Sequence, residues 1–207
     1  MKYIFAKYSF NFSLLIFLVV SGADAEIASK DTLQNAIDSV NADILFLRHA
    51  LAPGFGDPAN FDLKDCDTQR NLDAKGRSQA AKIGEELRLR NIKFTEILSS
   101  QWCRCKETAN LLDLGEWKEF AGLNSFFQNY ADKDETIALL NHKLKFLDTG
   151  LTLMITHQVV IREVTGKVVS SGGMAAFNSK TGQSVVCLLY TSPSPRDRTR
   201  SRMPSSA

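Results

Sequence analysis

The sequence lacks a strong charge of either sign. Its 25 Lys and Arg stand against 23 Asp and Glu, a formal net charge of +2 over 207 residues. That is too little basicity for a nucleic-acid-binding chain. It also lacks an internal repeat and a long linker, which leaves one domain of ordinary size. It lacks a zinc pattern, since Cys103-x-Cys105 with a distant Cys66 does not have metal-ligand spacing. Apart from one stretch near the N-terminus, it lacks any apolar run approaching a membrane span. What is present is a normal globular balance, 44% apolar and 23% charged. That balance excludes a wholly disordered chain, a coiled coil and a polytopic membrane protein.

The two ends differ from the middle. Lys2 and Lys7 precede an apolar stretch, Phe10 to Val20, and Ala23-Asp24-Ala25 fits the small-x-small rule of signal peptidase. Residues 1–25 are expected to be a secretory signal cleaved after Ala25, with an uncleaved anchor as the alternative. The run is short for a hydrocarbon core of ~30 Å, so no stable membrane anchor is expected after cleavage. Residues 187–207 hold Pro193, Pro195, Pro204 and four arginines without apolar period. They are expected to be a disordered tail. The segment CLLYTSPSPRD resembles the translation of a transposase sequencing adapter. Residues 26–186, the expected domain, carry a net charge of −2. The basicity therefore belongs to the ends, and no nucleic-acid partner follows.

Export implies an oxidising compartment, where a disulfide is favoured. Cys103 and Cys105 are too close on a helix to face each other, so Cys66 is expected to pair with one of them. Buried free thiols are the alternative.

Within the domain, strand and helix patterns alternate. Leu33, Ala36, Ile37 and Val40 repeat at helical spacing. Asp43–Leu47 and Leu151–Thr156 are continuous apolar runs suited to strands buried on both faces. Helices are expected over Asp73–Arg90, Trp102–Leu112, Asp134–Phe146 and from Val159 to near Gly166. Shorter strands are expected at Glu96–Ser99, Lys118–Leu123 and Gly182–Val186, and a turn at Gly172-Gly173. This alternation predicts an α/β protein, a three-layer α/β/α sandwich with a mainly parallel central sheet. Ligand sites in such sheets gather at the carboxyl ends of the strands.

Both strongly apolar strands end in a histidine: one runs into Arg48-His49, the other into His157. The strand ending at Ser99 leads into a helix with Arg104 in its first turn. Parallel strands bring these pieces to one rim. Two imidazoles, two guanidiniums and a helix N-terminus then repel one another unless a multiply charged anion sits between them, and the simplest is a phosphoryl group.

At these residues the chain resembles the histidine phosphatase superfamily, the phosphoglycerate-mutase-like phosphatases. Leu47-Arg48-His49-Ala50 resembles the signature at the first strand end. Asn71-Leu72-Asp73 with Gly76 and Gln79-Ala80 resembles its L-[ST]-x-x-G-x-x-Q-A helix start, with Asp in place of Ser or Thr. Ser99-Ser100 through Arg104 to Thr108-Ala109 resembles its S-x-x-x-R-x-x-x-T-A element, and Thr156-His157 its second histidine, usually preceded by Gly or Ser. The stretches LAPGFGDPANF, CDTQRNL and SSQWCRCKETA further resemble an exported bacterial branch.

The resemblance implies a periplasmic or secreted phosphohydrolase without metal or cofactor. His49 is the implied nucleophile, forming a phosphohistidine, and His157 donates a hydrogen bond to the phosphoryl group. Arg48 and Arg104 depress the His49 pKa and neutralise the phosphoryl oxygens. The expected partner is a phosphorylated small molecule or an envelope component.

The proton donor is missing where many members supply Glu: the segment reads Gly122-Leu123-Asn124-Ser125-Phe126-Phe127. Asp57, Asp62, Asp65, Asp67, Asp132 and Asp134 are the substitutes, Asp57 first, because Gly54, Gly56 and Pro58 shape its loop. Without an acid, phosphoanhydrides and phosphoramidates suit the site best. Arg70 is expected to pair or cap more readily than to touch phosphate. Asn124, Phe126 and Phe127 are expected along the substrate wall, with core packing as the alternative for the two phenylalanines, and His142 in solvent. The alternative is a non-catalytic anion-binding module that has lost its acid. A mutase would need an acid and a phosphorylated cofactor, which export disfavours.

Overall fold

Continuous apolar runs form the middle of the sheet, where both faces are covered. The computed structural model describes residues 32–187 and 189. The expected signal segment and nearly all of the expected tail lie outside the described residues. Strands are β1 (Ile44–Arg48), β2 (Glu96–Ser99), β3 (Lys118–Glu119), β4 (Thr152–Thr156), β5 (Met174–Phe177) and β6 (Ser184–Cys187). Helix α1 covers 32–39. It is followed by α2 (Ala74–Leu89), α3 (Cys103–Leu112), α4 (Lys133–Lys145) and α5 (Gln158–Thr165). The sheet order is β3-β2-β4-β1-β5-β6. The ladders β2·β3, β2·β4 and β1·β4 are parallel, and β1·β5 and β5·β6 are antiparallel. The expected three-layer α/β architecture is what forms.

Alternation along the strands sorts the two cores. Leu45, Leu47, Leu153 and Ile155 face α1, α2 and α3 through Leu33, Ile83, Leu87 and Leu112. Ile44, Phe46 and Met154 face α4 and α5 through Leu140, Val160 and Ile161. Two elements differ from expectation. Residues 118–123 pair only over Lys118–Glu119 and then form a 3-10 turn at Ala121–Leu123. Strand β5, with sequence MAAF, was not expected, because four short apolar residues give no period. It is fully buried between β1 and β6. Among the described residues, no helix is long and apolar enough to cross a membrane.

Helix α2 begins as the altered motif allows. The carboxylate of Asp73 accepts from the Gly76 N–H at 2.7 Å, the capping role of Ser or Thr. Gly76 has to be glycine, because a Cβ there would lie 1.9 Å from the Leu51 carbonyl oxygen. Gln79 accepts from Leu51 N–H and donates to Ser171 O, tying the loop after β1 to the loop before β5. Cys66 is bonded to Cys103 with Cα atoms 5.7 Å apart, which settles the pairing. Cys105 and Cys187 are buried free thiols.

Candidate active site

Three adjacent parallel strands, β2, β4 and β1, end at one rim, and each delivers part of a cluster. β1 delivers Arg48 and His49, and β4 delivers His157. β2 leads through Ser100 into α3, whose second residue is Arg104. The His49 and His157 rings stand 5.4 Å apart between centroids, edge to face.

Arg104 joins them. It is 2% exposed. Its Nε donates to His49 Nε2 at 3.3 Å, and Nη2 lies 3.5 Å from His157 Nδ1. Its outer fork holds Asp57: Nη1 donates to Oδ1 at 2.7 Å and Nη2 to Oδ2 at 3.1 Å. Nη1 also reaches the Arg70 carbonyl oxygen at 3.2 Å. The Asp57 carboxylate further accepts from Arg70 N at 3.0 Å and Trp102 Nε1 at 3.1 Å. Burial alone would raise its pKa. The hydrogen bonds and charge of Arg104 outweigh burial and hold the group below the usual carboxylate range. Asp57, first among the expected proton donors, is thus an ionised counter-ion.

Of the other expected aspartates, Asp67 and Asp134 are exposed and the remaining three serve local backbone. Asp62 accepts from Lys64 N, Asp65 from Asp67 N and Asp132 from Glu135 N. Arg70 wraps the loop after β1, donating from Nε to Gly56 O at 2.8 Å and from Nη1 to Ala52 O. Arg48 donates to Val169 O at 3.0 Å, while its buried Nε has no protein partner. Asn124 is buried, its amide tied to Ser100 and Gln101. Phe126 packs on the α4/α5 core, and Phe127 meets the exposed Phe55 edge to face at 5.1 Å. His142 is exposed on α4.

Burial, then Arg104, pushes both His49 and His157 well below the ordinary histidine value, and Arg48 and Arg70 add to the shift. Both rings are neutral at pH 7. Three guanidiniums (Arg48, Arg70 and Arg104) against one carboxylate (Asp57) leave a cluster charge of +2. A phosphate dianion would neutralise it. Among the described residues, no group of three or more His, Cys, Asp or Glu side chains is arranged to hold a metal ion.

Two contributors escaped the sequence reasoning. Trp102 is the residue before α3. Its indole donates to Asp57, stacks on Phe61 at 5.1 Å and stands edge to face with His157 at 5.4 Å. Ser100 lies 3.0 Å from His157 Nε2. Ser100 opens the S-x-x-x-R element and was legible as a motif position, though not as a histidine partner.

The family model of the histidine phosphatase superfamily (branch 1) matches residues 44–124. Arg48, His49, Arg70, Arg104 and Asn124 fall within that segment, and His157 falls beyond it. Compared with curated proteins, the sequence matches none. Among solved structures, the chain is similar to the protein histidine phosphatase SixA complexed with tungstate. The TM-score is 0.50 at 16% identity, covering 70% of this chain and 94% of that one. A candidate alpha-ribazole-5'-P phosphatase from Escherichia coli matches with TM-score 0.52 and 16% identity, over 72% of this chain and 95% of that one. A candidate phosphohistidine phosphatase SixA from Nakamurella multipartitia matches with TM-score 0.51 and 16% identity, over 70% and 92%. Residues 44–124 thus match the superfamily's sequence pattern, on the fold of these proteins.

Proposed function

We propose that this chain is a phosphohydrolase of the histidine phosphatase superfamily, from its exported bacterial branch, acting through a phosphohistidine on His49. The observation that carries this reading is the state of His49. The ring is buried and neutral, its Nδ1 lies 2.7 Å from the Ala50 carbonyl oxygen, and its Nε2 lone pair is turned toward Arg104, accepting from Nε at 3.3 Å until a phosphoryl group takes that place. A neutral imidazole held this way can attack phosphorus in line. Arg48, with an unpartnered Nε, and Arg104 offer positive charge to the equatorial oxygens of a loose transition state. The proposed chemistry uses no metal and no cofactor.

Asp57 is engaged as a carboxylate, so the site favours leaving groups that depart with little protonation: phosphoanhydrides and phosphoramidates. Likeness to proteins described as histidine phosphatases supports the same direction. The Cys66–Cys103 disulfide supports a periplasmic or secreted location. The proposed partner is a phosphorylated small molecule or envelope component.

Incubation with a labelled phosphodonor, such as acetyl phosphate or a phosphoramidate, tests the reading. Acid-labile label is expected on the wild type and none on His49→Ala. A wild type with neither adduct nor turnover across a broad panel refutes it. The filled Arg104 fork and the missing free acid favour a second reading, a non-catalytic anion-binding module. That module would be stabilised by phosphate or vanadate, by about 2.7 kcal/mol at a hundredfold excess over Kd, without turnover.

A further inference from the structure

His49 and His157 face one another across Arg104, yet they are held in opposite ways. His49 Nδ1 meets the Ala50 carbonyl oxygen at 2.7 Å. A carbonyl only accepts, so Nδ1 carries the proton and Nε2 the lone pair. In His157 it is Nδ1 that meets the guanidinium, 3.5 Å from Arg104 Nη2. A guanidinium only donates, so Nδ1 holds the lone pair. Its Nε2 lies 3.0 Å from Ser100 Oγ and 3.5 Å from Cys105 Sγ.

Asn124 decides which way the Ser100 hydroxyl points. The Gln101 N–H donates to Asn124 Oδ1 at 3.0 Å, and Asn124 Nδ2 donates to Gln101 Oε1 at 2.8 Å. A flipped amide would set donor against donor at the first contact. Oδ1 therefore faces Ser100 Oγ, 3.1 Å away, and takes its proton. Ser100 Oγ is left to accept from Trp102 N at 3.4 Å and from His157 Nε2–H. Cys105 agrees with this polarity. Burial pushes its pKa up to about 12, and the thiol donates to Thr156 O at 3.8 Å, leaving sulfur lone pairs toward Nε2.

We propose that Ser100 and Asn124 are positioning residues that hold His157 as its Nε2–H tautomer, making Nδ1 the proton carrier of the reaction. The proposal rests on the phosphohydrolase reading and supplies the donor that no carboxylate provides, which extends the substrate class to ordinary phosphomonoesters. In the first step His49 Nε2 bonds to phosphorus, the bond to the leaving oxygen breaks, and that oxygen keeps the electron pair and takes the proton from Nδ1 of the His157 imidazolium. In the second step water oxygen bonds to phosphorus and the P–N bond breaks, its electron pair returning to Nε2. One water proton passes to His157 Nδ1. The sum converts a phosphomonoester dianion and water into an alcohol and hydrogenphosphate, with both histidines restored.

In the empty site burial, then Arg104, His49, Arg70 and Arg48, keeps His157 neutral. Asp57 stands behind Arg104, and the Cys105 thiol is uncharged. A bound dianion offsets the guanidiniums and admits the imidazolium.

Two measurements test this. Imidazole nitrogen–proton correlation spectra of the whole phosphate-free protein read the tautomers without turnover. Nδ1–H at His49 and Nε2–H at His157 are expected, and Nδ1–H at His157 overturns the proposal. Aryl phosphates with leaving groups of graded acidity read the transfer itself. His157→Gln should lose about 10²–10⁴-fold in kcat on the poorest leaving group and far less on the best. An equal loss across the series means that His157 only binds, and refutes it. Asn124→Asp keeps the Ser100 hydroxyl donating and places an anion behind it, so the alkaline limb of kcat against pH should move upward. The Ser100→Ala/Asn124→Asp double variant should cancel that movement, and a single-variant profile superposable on the wild type removes the positioning role. If the wild type turns over no aryl phosphate and carries no phosphohistidine, the phosphohydrolase reading falls and takes this proposal with it. Turnover with a uniform His157→Gln loss sinks this proposal alone.

Discussion

Replacing Asp57 by Asn tests the electrostatic account of the site in one step. The carboxylate side chain is 4% exposed and that of Arg104 is 3% exposed. It accepts four hydrogen bonds, two from Arg104 and one each from Arg70 N and Trp102 Nε1. An amide keeps one acceptor oxygen and turns an NH2 toward donors. It also leaves the buried guanidinium without its counter-ion. Removing one partner of a buried pair costs about 3–5 kcal/mol. For a domain of this size that is a fall of roughly 6–20 °C in Tm.

Phosphate should restore part of the loss. With the outer fork of Arg104 open and the cluster one charge more positive, the anion should bind Asp57→Asn more tightly than the wild type and raise its Tm by more. Urea or thermal unfolding with and without phosphate measures both effects. A variant within ~0.5 kcal/mol of the wild type, as for a surface change, refutes the reasoning. So does equal stabilisation of both proteins by phosphate. The acid side carries a further check. The depressed carboxylate contributes stability above its unfolded pKa, which is lost as pH falls through the folded value. Asp57→Asn should lack that loss.

Three further outcomes follow. Gly76→Ala sets a Cβ 1.9 Å from the Leu51 carbonyl oxygen. It should cost at least 1–3 kcal/mol, roughly the penalty of overpacking, with activity falling as the loop after β1 shifts; unchanged unfolding and kinetics would refute this. Cys66→Ser/Cys103→Ser opens a crosslink spanning 37 residues and should lower stability by roughly 2–4 kcal/mol, matched by a dithiol on the wild type and with no added effect of dithiol on the variant. His49 and His157 are buried neutral with depressed values, so the unfolded chain binds protons first. Stability should therefore fall as pH drops below the ordinary histidine value, by up to about 1.4 kcal/mol per pH unit for each ring, and His49→Gln/His157→Gln should flatten that slope in urea titrations.

Which parts of the protein were legible in the sequence follows from range. The runs DILFL and LTLMIT announced central strands because both faces of β1 and β4 are covered, leaving no polar alternation to confuse the period. Their terminal histidines, with Arg104 in the first turn of α3, placed the cluster by topology alone. Strand β5 escaped because MAAF owes its conformation to β1 and β6 rather than to its own propensity. The fate of Asp57 escaped for a similar reason: its partner lies 47 positions away in sequence, and nothing local distinguishes a carboxylate under a guanidinium from one on a loop surface. Asn124 marked the right place, but its amide faces Ser100 and Gln101 within the protein. The cysteines fell between these cases. Helical spacing excluded a Cys103–Cys105 bond, and only the fold could choose between Cys103 and Cys105 for Cys66.

The indole of Trp102 lies between the Asp57 carboxylate and the His157 ring, whereas the protein's other tryptophan, Trp117, bonds Asn110 at the far end of α3. The cluster therefore contains its own optical reporter. Indole emission responds to a neighbouring charge, so occupancy of the site and protonation of His157 both become visible without a label or a chosen substrate. Trp117→Phe, a change remote from the cluster, leaves Trp102 as the single indole for that purpose, in contact with the groups it reports on.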